Sequence, residues 1–295
     1  MRLGVIGLSP GNGHPYSWSA IFNGYDRALM EDCGFPVIPR YLERQRFPQD
    51  AIQEAKVTQV WAQDEACAQH IALAAQIDNV AHHYTDMIGK VDGILLARDD
   101  ADTHLDFARP FLDAGLPIYI DKPLALSSEI AQQLVNMQRY PGQLFSCSAL
   151  RYAREFQLSE AMCSEIGEIR QIHATGPKDW DKYAVHVIEP LLLLAPNRGS
   201  VKRIHRWHCG DSVTMHLLFE SGLQAQVCTL GACAAPLALR VIGDRGWRDL
   251  VFMDSFTAFR AALNEFVQGA LKRDVRIAPE FMLEVVGIIE AGRTM

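Results

Sequence analysis

Leu116-Pro-Ile-Tyr-Ile-Asp-Lys-Pro-Leu-Ala125 is the stretch that decides the fold: an apolar strand delivers a lysine and a rigid proline to one loop. Upstream, Val91-Asp-Gly-Ile-Leu-Leu-Ala97 has the run of apolar residues expected of a buried parallel strand, and 104–115 carries helical spacing that closes on Gly115. Strand, helix, strand and Asp-Lys-Pro make one βαβ crossover. Ligands of open α/β sheets bind beyond the carboxyl ends of the strands, so Asp121, Lys122 and Pro123 are expected at a binding site.

Working outward, strand-like segments at 3–8, 57–61 and 93–97 alternate with helix-like ones at 17–32 and 64–76, which predicts a doubly wound α/β domain. A helix over 127–139 and a strand over 143–149 continue it. From 169 the texture changes to longer alternating strands at 169–175, 201–208, 212–220, 223–230 and 237–243, with Ser221-Gly222 as a hairpin turn. Short direct connections imply a largely antiparallel open sheet in an α+β domain. Helices over 257–271 and 279–292 finish the chain, Pro279 suiting a first turn. The expected division is 1–123, with 124–150 packing onto it, then 151–275, then 276–295 as a closing helix that can return to the first domain.

The 295 residues are 49% hydrophobic, enough for two cores. A net charge of -7 without a basic cluster argues against nucleic acid or an anionic membrane surface, leaving small molecules as the expected partners. No run of about 18 apolar residues occurs, so no membrane span is expected. The apolar start Met1-Arg-Leu-Gly-Val-Ile-Gly7 is too short for a signal segment, which predicts a cytoplasmic protein. The seven cysteines are odd in number and scattered without a Cys-x-x-Cys pair, reading as buried thiols in a reducing compartment. No metal site is expected: His82-His83 and His205-x-x-His208 lack partners at ligand spacing.

Two segments carry candidate chemistry. Gly7-Leu-Ser-Pro-Gly-Asn-Gly-His-Pro-Tyr-Ser-Trp18 lies between a strand and a helix, where a pyrophosphate loop meets a helix N-terminus. Gly7 fits the first fingerprint glycine, while Ser9 and Asn12 occupy the next two positions. Gly11 and Gly13 imply a longer loop whose backbone can approach a phosphate, with Ser9 adding a hydroxyl. No acid for ribose hydroxyls stands out. Phe35-Pro-Val-Ile-Pro-Arg-Tyr41, read as the end of the second strand, offers Arg40, which suits a 2′-phosphate, so NAD and NADP both stay open. In Lys178-Asp-Trp-Asp-Lys-Tyr-Ala-Val-His-Val-Ile-Glu-Pro190, helical spacing sets Asp179, Lys182, Tyr183, His186 and Glu189 on one face, and a histidine there suits proton transfer.

Together these motifs resemble the Gfo/Idh/MocA family of NAD(P)-dependent oxidoreductases, named for glucose-fructose oxidoreductase, inositol dehydrogenase and rhizopine catabolism. The likeness is carried by the amino-terminal Gly4-Val-Ile-Gly7, by 104–123 with Asp121-Lys122-Pro123 in place of the family's Glu-Lys-Pro, by Leu150-Arg-Tyr152 with Ile166-Gly-Glu-Ile169, and by Val285-Val-Gly-Ile-Ile-Glu-Ala-Gly292. The resemblance implies a Rossmann domain and hydride transfer between nicotinamide and a sugar or cyclitol carbon. It also implies a homodimer or homotetramer formed through the second sheet. It assigns Lys122 to the substrate oxygen and His186 to its proton. The family's Asp-x-x-x-His has Lys182 at the aspartate position here, leaving Asp179 as a partial replacement and Tyr183 as an alternative proton carrier. Arg151, Tyr152, Trp180 and Lys182 are the expected substrate contacts. Two other functions fit the same residues: NAD-assisted, redox-neutral glycoside cleavage, and a non-catalytic Rossmann sensor.

Overall fold

A computed structural model describes residues 1–294 of the chain. It divides into two compact units, the first holding Met1–Ala125, Glu129–Cys147 and Phe259–Met282, the second Leu126–Ser128, Ser148–Ala258 and the chain from Leu283 onward.

The sheet of the first unit contains β1 (Arg2–Ile6), β2 (Lys56–Trp61), β3 (Asn79–Val80), β4 (Gly93–Leu96), β5 (Ile118–Ile120) and β6 (Leu144–Phe145). All pairs are parallel, in the order β3-β2-β1-β4-β5-β6, so the strand order reverses between β1 and β4. Residues Ile94–Leu96 and Ile118–Ile120 are at most 1% exposed, as required of strands covered on both faces. Each such side chain contributes roughly 1.5–3 kcal/mol by burial. The helices are α1 (His14–Asn23), α2 (Arg27–Glu31), α3 (Val37–Leu42), α4 (Glu65–Ala74), α5 (His104–Asp113), α6 (Ser128–Asn136), α7 (Glu160–Ile166), α8 (Trp180–Tyr183), α9 (Val185–Leu194), α10 (Ser255–Lys272) and α11 (Pro279–Thr294).

Two expectations in this unit are corrected. The helix expected over 17–32 is broken: α1 ends at Gly24, whose φ of 81° suits only glycine, and Asp26 starts α2 by accepting the Leu29 amide. The stretch 35–41 forms α3, inserted before β2, so it does not end a strand. The residue that follows the strand beside β1 is Ala62.

The second sheet comprises β7 (Ile169–Gly176), β8 (Val201–Cys209), β9 (Ser212–Phe219), β10 (Gln224–Leu230), β11 (Ala238–Gly243) and β12 (Trp247–Val251), ordered β12-β11-β7-β10-β9-β8. Only the β7–β10 pair is parallel. Alternation buries Ile172, Met215, Leu217, Val227, Leu239 and Val241 on one face, which α9 covers at β7 and β11. Gly222, at φ 88°, makes the expected turn between β9 and β10.

The unit boundaries differ from those expected. From Phe259 onward α10 belongs to the first unit, where Phe266 meets Tyr119 and Phe145. From Leu283 onward α11 belongs to the second, where Glu290 accepts the Ser128 amide. The thiols are not uniformly buried: Cys33 and Cys147 are, whereas Cys163, Cys209 and Cys233 are exposed. Among the described residues no helix is long and apolar enough to cross a membrane.

Candidate active site

In an open parallel sheet the binding crevice lies where the strand order reverses, here beyond the carboxyl ends of β1 and β4. The loop after β1 is built tightly. A Cβ at Gly7 would stand 2.1 Å from the Pro15 ring, and one at Gly13 would stand 2.6–2.7 Å from Ile38 and Phe35. Gly11, at φ 80°, has open space where its Cβ would be. Several donors expected on a phosphate are used internally. Gln63 accepts the Leu8 amide, Asn12 accepts the His14 amide, and Pro15 has none to offer. The amides of Ser9, Gly11 and Gly13 have no acceptor among the described residues, and with Ser9 fully buried those of Gly11 and Gly13 are the donors that can reach an anion such as a pyrophosphate. On that narrower donor set the loop fits a dinucleotide.

Ser9 and Asn12 turn inward, correcting their expected roles toward the cofactor. The Ser9 hydroxyl donates to Asp99 at 2.7 Å and accepts the Asp99 amide. Asn12 Nδ2 donates to Asp121 at 2.8 Å. Asp121 is also a hub and not a surface contact: it is fully buried, lies 2.6 Å from His14 Nδ1 and accepts the Lys122 amide at 2.8 Å. Burial alone would push this carboxyl up, but His14 and Lys122 outweigh it and hold it below the ordinary carboxylate value. It therefore stays ionised and anchors α1 to the end of β5.

Lys122 itself is 5% exposed, and its Nζ stands 3.5 Å from Asp99 Oδ2. Pro123 is buried behind a cis peptide bond. A buried ammonium at a sheet's carboxyl end, held by a carboxylate that also binds Ser9, is a donor that can meet a substrate oxygen without prior reorganisation. Arg40 lies exposed on α3, whose Ile38 packs against Gly13 in the loop after β1. The nearest acid after β2, Asp64, accepts the Cys67 amide as the cap of α4.

In the second unit, α9 presents His186 and Glu189 inward, both buried. His186 Nδ1 lies 2.7 Å from the Ser148 hydroxyl, and Glu189 accepts the Ser148 amide at 2.7 Å. Arg151 donates to the other Glu189 oxygen at 3.2 Å and lies over the Tyr152 ring. Burial pushes the Glu189 carboxyl up to about 7, against the pull of Arg151 and the Ser148 amide. Tyr183 meets His186 edge to face, 5.4 Å between ring centres, and receives a hydrogen bond from Lys178.

The remaining expected residues do different work. Asp179 caps α8 by accepting the Lys182 amide at 2.9 Å, so the group bound to His186 Nδ1 is Ser148. Trp180 is buried and donates to the Ile289 carbonyl at 2.9 Å, which makes it a support for α11 in place of a substrate wall. Lys182 is half-buried on α8. Lys178, Asp179, Trp180, Arg206, His208 and Arg293 line a cavity of about 810 Å³ that neither Tyr183 nor His186 borders. Asp99, Ser148 and Lys178 went unassigned at the sequence level. Asp99 and Ser148 both follow strands at the carboxyl end of the first sheet, the rule that pointed to Lys122.

Residues 33–148 match the model of an oxidoreductase family with an NAD-binding Rossmann fold, Gfo/Idh/MocA. The match begins after the altered loop. No curated protein matches the chain. Among solved structures, myo-inositol 2-dehydrogenase from Lactobacillus plantarum superposes with a TM-score of 0.75 at 15% identity, over 99% of this chain and 96% of that one. GenD2 from gentamicin A biosynthesis, in complex with NAD, superposes with a TM-score of 0.75 at 15% identity, over 99% and 93%. Biliverdin reductase from Synechocystis sp. PCC 6803, in complex with biliverdin and NADP+, superposes with a TM-score of 0.70 at 15% identity, over 99% and 98%. Such identities speak for the fold, and the three names span unlike substrates. Residues 33–148 are thus similar to the oxidoreductase family Gfo/Idh/MocA with its NAD-binding Rossmann fold, and the chain as a whole shares its fold with these solved structures.

Proposed function

We propose that this protein is an NAD(P)-dependent oxidoreductase that moves a hydride between nicotinamide and a carbon of a sugar, cyclitol or related small compound. The observation that carries the reading is Lys122, buried at the carboxyl end of β5 in an NAD-binding Rossmann sheet and already held by Asp99. The amides of Gly11 and Gly13 are assigned to the pyrophosphate. Lys122 orients the substrate oxygen and offsets its developing charge. Within the second unit His186 and Tyr183 are the candidate proton carriers, with Ser148, Glu189 and Arg151 holding the histidine helix in place. When bound, the nicotinamide supplies or accepts the hydride. Self-association through the open face of the second sheet belongs to the same reading, supported by Trp207 and Trp247 lying more than half exposed there.

A non-catalytic sensor that keeps the fold is the second reading. It is favoured by the Leu8 and His14 amides being satisfied within the loop and by Ala62 standing where a ribose-binding acid is expected. Titration of the purified protein with NAD+, NADH, NADP+ and NADPH, followed by tryptophan fluorescence and checked by calorimetry, separates the two. One pair binding at micromolar level is the expected result and settles the cofactor. No binding of any of the four to a folded, nucleotide-free protein removes the dehydrogenase reading.

A further inference from the structure

We propose that His14 is a proton acceptor belonging to the first unit itself: Asp121 holds its Nδ1, and its Nε2 takes the proton of a hydroxyl on the nicotinamide half of the crevice. This role rests on the oxidoreductase reading and adds a residue to it. The tautomer follows from the donors around Asp121. A backbone amide only donates, so the bond from the His14 amide makes Asn12 Oδ1 an acceptor and turns Asn12 Nδ2 toward Asp121 as a donor. The Lys122 amide donates to the other carboxylate oxygen. Asp121 is fully buried, yet His14 and Lys122 outweigh that burial and keep it ionised, so it accepts and does not donate. His14 Nδ1, 2.6 Å away, therefore carries the proton, and in the neutral ring Nε2 carries a lone pair. Stacking on Trp18 at 4.9 Å and an edge contact with Phe259 at 5.0 Å fix the ring plane. The side chain keeps 17% of its surface, and Nε2 has no hydrogen-bond partner among the described residues. A histidine with Nδ1 on a buried carboxylate and Nε2 accessible is the arrangement that orients a general base.

Position in the sheet points to the reacting end. A doubly wound sheet is two mononucleotide-binding halves that meet where the strand order reverses, and the half holding the second strand takes the adenosine ribose. That leaves β4, β5 and β6 to the nicotinamide. His14 begins α1 beside β1, but its ring crosses to Asp121 at the end of β5, the strand that also delivers Lys122. One carboxylate thus positions both residues. In the direction of oxidation the hydroxyl O–H bond breaks and its proton goes to Nε2. The freed electron pair forms the second C–O bond, and the hydride leaves the same carbon for the oxidised nicotinamide. His14 becomes an imidazolium beside the Asp121 carboxylate and afterwards returns the proton to solvent from its exposed edge.

The test is chemical modification of the full-length parent protein by diethyl pyrocarbonate, which acylates an unprotonated imidazole nitrogen. Trypsin, cutting after Arg2 and Arg27, releases peptide 3–27, in which His14 is the one histidine, so mass spectrometry reads its modification directly. Expected is that His14 reacts in the free protein, is protected by the nicotinamide dinucleotide that binds, and stays reactive with saturating ADP, which has adenosine and two phosphates but no nicotinamide. Equal protection by ADP makes His14 a phosphate contact and overturns the proposal. A dinucleotide that binds without protecting His14 overturns it too and leaves the oxidoreductase reading standing. No binding of any nucleotide removes that reading, and this role with it. A long-range proton–nitrogen correlation spectrum of isotope-labelled histidine at alkaline pH, with His14 assigned by the signals missing from His14→Gln, is expected to show a protonated Nδ1 and a bare Nε2. The reverse overturns the proposal whatever the nucleotides do. For a sugar or cyclitol that the parent oxidises, His14→Gln is expected to lower kcat by about 100-fold or more, with KM and the nucleotide Kd within about twofold. An unchanged kcat in the folded variant removes His14 from the chemistry.

Discussion

Lys122 and Asp99 form a pair whose two members fail differently when removed. Lys122→Met removes a cation from beside the buried Asp99 carboxylate, a change that costs about 3 kcal/mol or more in pairs of this kind. Adding Asp99→Asn should recover most of the melting temperature in calorimetry, while turnover stays down by about 100-fold or more. Recovered turnover in the double variant would remove Lys122 from the chemistry. Glu189 supplies a pH test. Its carboxyl titrates at about 7 in the folded chain against 4.5 for the unperturbed group, so the fold favours the protonated form. That contribution is complete below about 4.5 and is lost as pH rises to about 7. The melting temperature of Glu189→Gln relative to the parent should therefore shift in the variant's favour across that window and level off above it. A flat difference would mean that Glu189 ionises in the fold as it does in water. At this scale the sequence was legible where chain direction sets a residue's place, as for Lys122 directly after β5. It misled at Ser9 and Asn12, because whether a loop side chain faces ligand or core depends on partners about 90 and 109 residues away in the chain.

Helix α11 is held by a contact that reverses a common helix rule. Alanine is ordinarily better than glycine inside a helix by about 1 kcal/mol. At Gly292, however, a Cβ would fall 2.1 Å from the Trp180 ring, whose N–H is tied to the Ile289 carbonyl. Gly292→Ala is expected to destabilise by about 1–3 kcal/mol through overpacking, seen as a drop of several degrees in melting temperature. A stabilised variant would show that Trp180 can move aside, reopening it as a substrate contact. Most elements were readable from spacing. Strand β12 was not, because of its five residues only Leu250 is buried and an edge strand of that kind carries no alternation. The broken helix at Gly24 and the helix at 37–42 escaped for a related reason: local apolar content is the same for a helix, a turn and a short strand.

The second sheet leaves one face open. Across its six strands runs a row of His205, His216, Gln226, His173, Arg240 and Asp249, set by strand register. Arg240 and Asp249 pair at 2.6 and 2.8 Å, and Trp207 and Trp247 stand exposed near opposite edges. A two-fold partner would bring the histidine end of one row to the acidic end of the other, the self-complementarity that a symmetric interface needs. Trp207→Glu with Trp247→Glu should lower the sedimenting mass to that of one chain. A parent protein that already sediments as one chain would end the sheet-face reading.

The sequence by itself determined the α/β class, the crossover that ends at Lys122 and the change of texture near 169, because these rest on periodicity and chain direction, which are local. Only the tertiary structure decided that Ser148 binds His186, that Asp99 binds Lys122, that Asp121 is buried as a hub and that α10 and α11 join different units. Each of those depends on burial, and burial is set by which distant segments exclude water from a group. No spacing within one segment can record that.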